Sequence, residues 1–255
     1  MPAPLSSPAS DAPLPTGVII LAATVHEMVV TTRRLQLERS SLEWHGTFAG
    51  APMRAAVSGM GGDSACRTLD RLLDVFAARH VILIGFAGGL DPKLAAGHLI
   101  DVASVVNEQG ARFHLSRGSA PVPLETDASS AADLLSLDRV ANDCADKRLL
   151  FARHHAPAVD METYAVAACA ARRGVPLVTL RAIVDTQDLA LPPGSSRWVR
   201  PDGQTRPTVV LADLVRRPGT IPIILRLAPR SAKAGSALAD AVVRILGELA
   251  VDRCP

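Results

Sequence analysis

Residues 158–185 read AVDMETYAVAACAARRGVPLVTLRAIVD, and this stretch decides the fold. Asp160, Met161 and Glu162 open a helix that Gly174 and Pro176 close. Val175 to Val184 follows as a nearly unbroken apolar strand with Asp185 at its carboxyl end. A helix feeding a buried strand is the repeating unit of an open α/β sheet, and ligands of such sheets sit beyond the carboxyl ends of the strands. The stretch therefore sets an acidic helix start and an acidic strand end where chemistry is expected.

Upstream, Gly17 to Ala23 (GVIILAA) reads as a second fully buried strand, with Thr24, Val25, His26 and Glu27 at its end. Two titratable groups thus land at the same sheet edge. Ser41 to Gly50 reads as a hairpin segment and Met53 to Ser58 as the next strand. It leads into SGMGGDSACRTLDRLLDVFAARH, where Cys66, Leu69, Leu72, Leu73 and Phe76 recur at helical spacing and Asp63 or Ser64 caps the first turn. Gly59, Gly61 and Gly62 let the chain turn sharply, and the helix amino end suits an anion. The same arrangement mimics a dinucleotide fingerprint, although Ser64 stands where the third glycine belongs. Val81 to Leu90 (VILIGFAGGL) is a further buried strand whose exit at Ala87, Gly88 and Gly89 lets a ligand approach the main chain, and His98 to Val106 is another. Residues 110–128 read as loop, followed by helices between Ser129 and Arg153. His154 and His155 are adjacent, cannot form the i, i+4 pair of a helical metal site, and read as surface residues.

Downstream of Asp188 the compact pattern ends. LPPGSSRWVRPDGQTRP reads as loop, and LADLVRRPGTIPIILRLAPR as a helix pair broken at Pro218 and Pro222. Its arginines are either solvated or belong to a basic, apolar flap over residues 189–231 that covers a greasy substrate or touches an anionic membrane surface. Leu238, Ala241, Val242, Ile245, Leu246 and Leu249 then form one apolar helical stripe.

Composition bounds the function. The chain has 255 residues, 48% of them hydrophobic, enough for one α/β domain over residues 17–255 behind a disordered tail at 1–16. Aromatics make up only 3%, which argues against nucleic-acid binding through stacked rings, and a net charge of +2 names no polyanionic partner. Cys66, Cys144, Cys169 and Cys254 form no CxxC pair, so neither a metal site nor a disulfide framework is indicated. No signal-peptide pattern and no membrane-length apolar run is present, so the expected location is the cytoplasm.

The ordered set of a strand, SGMG and a helix, then IGFAGGLDP, VDMET and RAIVD, resembles the superfamily of purine nucleoside phosphorylases and methylthioadenosine/S-adenosylhomocysteine nucleosidases. The resemblance covers about Gly17 to Asp188, and VDMET, LDP and the arginine-rich tail look most like the hopanoid-associated phosphorylases, which resemble nucleosidases acting on adenosylhopane. It implies a three-layer αβα sandwich with a mixed, twisted central sheet, and cleavage of the bond between a purine and ribose. By motif, Asp185 takes the place of the acid at purine N7, and Met161 and Glu162 that of the pair that holds the ribose. Ala87 and Gly88 take the place of the backbone beside base and nucleophile, and Glu27, or else His26, that of the residue orienting an attacking water. A desolvated aspartic acid suits protonation of a leaving purine, and a carboxylate on the ribose hydroxyls suits the positive sugar that forms. Three departures put nucleophile and substrate in question: Phe86 replaces a hydroxyl, Val140 an aromatic over the base, and Val184 a serine beside the acid. No cofactor is implied. Phosphate as co-substrate stays open, with Arg33, Arg34 or Arg54 as its cationic contacts. The implied partner is a small nucleoside, lipid-linked in the narrower reading, bound by a homodimer. A dinucleotide-dependent oxidoreductase and a noncatalytic nucleoside- or lipid-binding module are the alternatives.

Overall fold

The period-two pattern of the first strand sets the layers. In β1 (Thr16–Ala22), Ile19 and Leu21 point to one face and Val18, Ile20 and Ala22 to the other, and all five are buried. Such a strand must be covered on both sides. The computed structural model, which describes residues 16–124, 133–192, 194–200 and 202–251, covers it so.

After β1 come α1 (Val25–Arg34), β2 (Glu38–Ser40), β3 (Glu43–Phe48), β4 (Ala51–Val57), α2 (Gly62–Val75) and the long β5 (Ala77–Gly89). Then follow β6 (Leu99–Asp101), β7 (Ser104–Asn107), β8 (Arg112–Ser116), β9 (Ser119–Leu124) and β10 (Leu134–Ser136). The organising stretch contributes β11 (Ala158–Asp160), α4 (Thr163–Arg173) and β12 (Leu177–Asp185), preceded by α3 (Cys144–His154). Past a loop, α5 (Pro207–Arg216) and the 31-residue α6 (Ile221–Val251) complete the described chain.

Among the described residues the strands form one mixed sheet in the order β2-β3-β4-β1-β5-β11-β10-β7-β8-β9, with β12 paired to β5 and β6. Parallel pairs β4-β1-β5-β12 make its centre. At its carboxyl end β5 also meets β11 antiparallel, Gly88 opposite Val159 and Gly89 opposite Ala158, so the sheet divides there. On one face Met28 of α1 and Leu238, Val242 and Ile245 of α6 pack on Ile20, Ile82 and Leu180. On the other, Leu69 and Leu72 of α2 and Val166 and Ala170 of α4 pack on Ile19, Leu83 and Leu177. This is the three-layer αβα sandwich with a mixed central sheet.

Several local expectations need correction. Asp160 ends a strand instead of opening a helix, and α4 begins at Thr163 with Glu162 as its cap residue. Asp160 still serves the helix start: its Oδ2 accepts from the Thr163 backbone N–H at 3.0 Å. Part of the stretch read as loop is the hairpin β8–β9, in which Phe113 and Leu115 are buried. Pro121 and Pro123 hide β9 from a sequence reading, yet β9 is an edge strand. Two residues apart, both prolines direct their missing N–H the same way, which an edge tolerates. The run from His98 to Val106 is two strands, because β6 pairs with β12 whereas β7 pairs with β10 and β8. Of the helices expected between Ser129 and Arg153, the described residues contain α3 alone, with β10 before it; residues 125–132 lie outside the described part. Pro222 does not break a helix but sits in the first turn of α6, where an N–H has no intrahelical partner to lose; the break is at Pro218 to Thr220. Among the described residues no helix is long and apolar enough to cross a membrane. Cys66, Cys144 and Cys169 are free thiols, and Cys254 and the tail at 1–15 lie outside the described residues.

Candidate active site

A cavity of about 180 Å³ opens where the sheet divides, beyond the carboxyl ends of β1, β5 and β12. Glu27, Phe86, Ala87, Gly88, Val140, Met161, Glu162 and Asp185 all line it, so eight expected site residues from five segments of the chain converge. Two do not. His26 is exposed and its ring meets Thr205 Oγ1 at 2.8 Å, outside the cavity. Val184 packs into the apolar layer toward α6, because neighbours on a strand face opposite sides and Asp185 takes the cavity side.

Glu27 is held on both oxygens. Its Oε2 accepts from the Thr24 N–H at 2.7 Å and hydroxyl at 2.9 Å, a capping box at the start of α1, and its Oε1 accepts from the Phe86 N–H at 2.8 Å. Burial raises its carboxyl above the ordinary range, and these hydrogen bonds with the field of Arg181 oppose the rise. The Glu162 Oε1 accepts from Gly61 N–H at 2.8 Å, at the amino end of α2. The anion expected there is therefore a side chain of the protein itself, and the turn is not open to a dinucleotide pyrophosphate in this arrangement.

Beneath the acids lies Arg181 of β12, completely buried. Its guanidinium pairs with Asp160, donates to Thr163 Oγ1 and lies 3.7 Å from Glu162 Oε2. Gly85 is required above it, since a Cβ there would fall 1.8 Å from Arg181 Nη1. Glu162 is pushed up to about 7, first by burial and then by the charge of Asp160, with Arg181 opposing. A folded-state value above the ordinary 4.5 means that the native protein binds this proton more tightly than the unfolded chain. The stability it contributes is complete below about pH 4.5 and is lost as pH rises through about 7. Across that window Glu162 alone is expected to lower the thermal midpoint by the equivalent of about 3 kcal/mol. Glu162→Gln should make the fall shallower, leaving the part due to Glu27 and Asp185, which burial raises in the same direction; an unchanged slope in scans at stepped pH would remove Glu162 as a source.

Asp185 meets a second buried cation. Lys147 of α3 is fully buried, and its Nζ donates to Asp185 Oδ2 at 2.5 Å, Leu189 O at 2.9 Å and Thr186 O at 3.0 Å. Burial raises the Asp185 carboxyl and the Lys147 charge counters that rise. Gly88 gives this acid its space: a Cβ there would sit 3.2 Å from Asp185 Oδ2. None of Arg33, Arg34 and Arg54 lines the cavity; Arg34 pairs with Asp240, and Arg54 stacks near Phe76 and Glu43. The arginine that does line it is Arg139, which pairs with Asp146 through two hydrogen bonds at 2.5 and 2.9 Å. Sequence reasoning missed Lys147 and the depth of Arg181, because a lysine or arginine within a helix or strand gives no sign of burial by itself, and it missed Arg139 because that residue is an exposed loop arginine brought to the cavity rim by the fold.

A sandwich of this topology with four acids, Glu27, Asp160, Glu162 and Asp185, around one strand-end cavity defines a class. Residues 20–216 match the phosphorylase superfamily, and the chain belongs to it. In fold it is similar to a mutant of the Helicobacter pylori nucleosidase MTAN solved with 5′-methylthioadenosine in its active site (17% identity, 91% of this chain and 98% of that one, TM-score 0.63). Futalosine hydrolase of the same organism matches at 17% identity over 92% of this chain and 98% of that one, with TM-score 0.64. A Francisella philomiragia protein described as a putative 5′-methylthioadenosine/S-adenosylhomocysteine nucleosidase matches at 16% identity over 94% of this chain and 100% of that one, with TM-score 0.61.

Proposed function

We propose that the protein cleaves the N-glycosidic bond of an adenine nucleoside, with water as the attacking group. The observation that carries the reading is the convergence of Asp185, Glu162 and Glu27 on one cavity floored by the main chain of Ala87 and Gly88. Asp185 delivers a proton to purine N7 as the C1′–N9 bond breaks, so that the base departs neutral. Glu162 accepts hydrogen bonds from the ribose hydroxyls, and its hold strengthens as positive charge grows on the sugar. Met161 packs against the ribose, Val140 against the base, and Glu27 orients the water. No cofactor is required. Water is favoured over phosphate because buried Glu27 would repel an anion and the cavity presents Arg139 alone among the arginines, already paired with Asp146. The nucleosidase and hydrolase relatives support the same choice.

The finer reading is a lipid-linked 5′ substituent, as in adenosylhopane, placing the reaction in hopanoid biosynthesis on a cytoplasmic homodimer that touches the membrane. It is supported by Leu211, Val215, Ile221 and Leu225, exposed beside Arg216 and Arg226 on α5 and α6, and by Leu191, through which the same segment reaches the cavity. Adenosine, methylthioadenosine and adenosylhopane are to be incubated side by side, with and without phosphate and anionic vesicles, and the products identified by mass. Adenine with free ribose products from any of them supports hydrolysis; a sugar 1-phosphate assigns phosphate as the nucleophile. Intact nucleosides throughout would overturn the reading in favour of a binding module.

A further inference from the structure

Lys147 is a charged side chain with no access to solvent, on a helix whose other cations are exposed, and it is not part of the cavity wall. Burying an ammonium is costly unless it is paired and all its N–H groups are used. Both conditions hold: three donors meet three acceptors, the Asp185 carboxylate and the carbonyls of Thr186 and Leu189. Three acceptors suit the ammonium form, which has three N–H groups and no lone pair. Through one nitrogen, α3 thus fixes the orientation of Asp185 and the path of the chain leaving β12. Because Asp185 Oδ2 is taken by Lys147, Oδ1 is the oxygen left for a ligand in the cavity.

We propose that Lys147 is the positioning residue that sets the acid strength of Asp185, a role that rests on the nucleosidase reading above. In the reaction the Asp185 O–H bond breaks, the N7–H bond forms, and the electrons of the C1′–N9 bond pass into the departing purine. A carboxylate is left in a buried site. Lys147 stabilises that carboxylate, so the proton leaves more readily; water supplies hydroxyl to the sugar, and its remaining proton leaves through Glu27 to solvent. Other charges face the same acid. Arg230 of α6 adds a weaker positive field, Asp188 lies in the loop beyond β12 within reach of both cations, and Glu27, Asp160, Glu162 and Arg139 line the same cavity, while β5 presents the uncharged Phe86, Ala87 and Gly88. Lys147 is the charge in direct contact, and it dominates the others.

Lys147→Met keeps the length of the side chain and removes the charge. The alkaline limb of the rate profile, where Asp185 loses its proton, should then move up by about one pH unit or more, and the plateau rate should fall at least about tenfold. Lys147→Arg keeps the charge and should restore the position of the limb even where the larger head slows turnover. A purely structural lysine predicts a lower rate with the limb unmoved, and that result would overturn the proposal. Carbon-13 titration of aspartate-labelled protein, with the Asp185 signal assigned by its loss in Asp185→Asn, reads the same shift without turnover. If Lys147→Met raises the Asp185 titration but the wild type releases no adenine, the pairing stands and the nucleosidase reading fails; an unmoved titration in folded Lys147→Met rejects the pairing itself.

Discussion

Asp185→Asn is expected to lower adenine release by about 10²- to 10⁴-fold with little change in fold. The amide keeps the shape of the side chain, and its oxygen still accepts from Lys147 Nζ, which meets the carboxylate Oδ2 at 2.5 Å in the wild type. What it loses is the transferable proton. The wild-type rate should decline as pH rises through the Asp185 value, which burial lifts above the ordinary 3.8 against the pull of Lys147. The variant should lack that limb and run flat at its residual rate. Nucleoside affinity should change less than turnover, because the cavity walls formed by Phe86, Val140 and Met161 remain. Steady-state kinetics at stepped pH check each part, and a variant with wild-type turnover would falsify the acid assignment.

The parts of the site that were legible in the sequence are those with a local cause. Asp185 stands at the end of an apolar run, and Ala87 and Gly88 at the exit of another; strand ends and glycines are visible without a fold. Glu162 came with VDMET. The choice between His26 and Glu27 had a local signal that went unused: Thr24-x-x-Glu27 is a capping box, which starts a helix at Val25 and turns Glu27 back toward the strand end while His26 faces out. Val184 could have been rejected by parity alone, since it cannot share the face of Asp185. Lys147 could not be found in this way. Its helix is only weakly amphipathic, and the acceptors that make its burial tolerable lie 38 to 42 residues further on, at the end of β12 and in the loop after it, whose path is set by tertiary contacts. The hairpin β8–β9 was concealed for the opposite reason, because prolines that usually exclude a strand are accepted at an edge.

Arg181→Met should damage both stability and activity, and the two losses should separate on closer mutation. Among the described residues the guanidinium is the one cation within ion-pair distance of Asp160 and Glu162, and its field also lowers Glu27. Removing one partner of a buried ion pair while leaving the other costs about 3–5 kcal/mol, well beyond the cost of burying a methionine of similar reach. A large drop in thermal midpoint follows. Pairing the change with Asp160→Asn should recover part of it, since the amide can still serve the Thr163 N–H that Asp160 Oδ2 now accepts at 3.0 Å. Activity should not recover with it. Arg181 lowers the carboxyls of both Glu27 and Glu162, so without it both rise further and the acid limb of the rate profile moves to higher pH. The double variant isolates Glu27: Glu162 loses the Asp160 charge that raises it together with the Arg181 charge that lowers it, whereas Glu27 loses only the Arg181 field, so a displaced acid limb there reports Glu27. Regained stability together with a displaced acid limb assigns Arg181 two separable roles, in holding β11 to β12 and in setting the charge of the cavity; regained stability with an unmoved limb leaves it only the first.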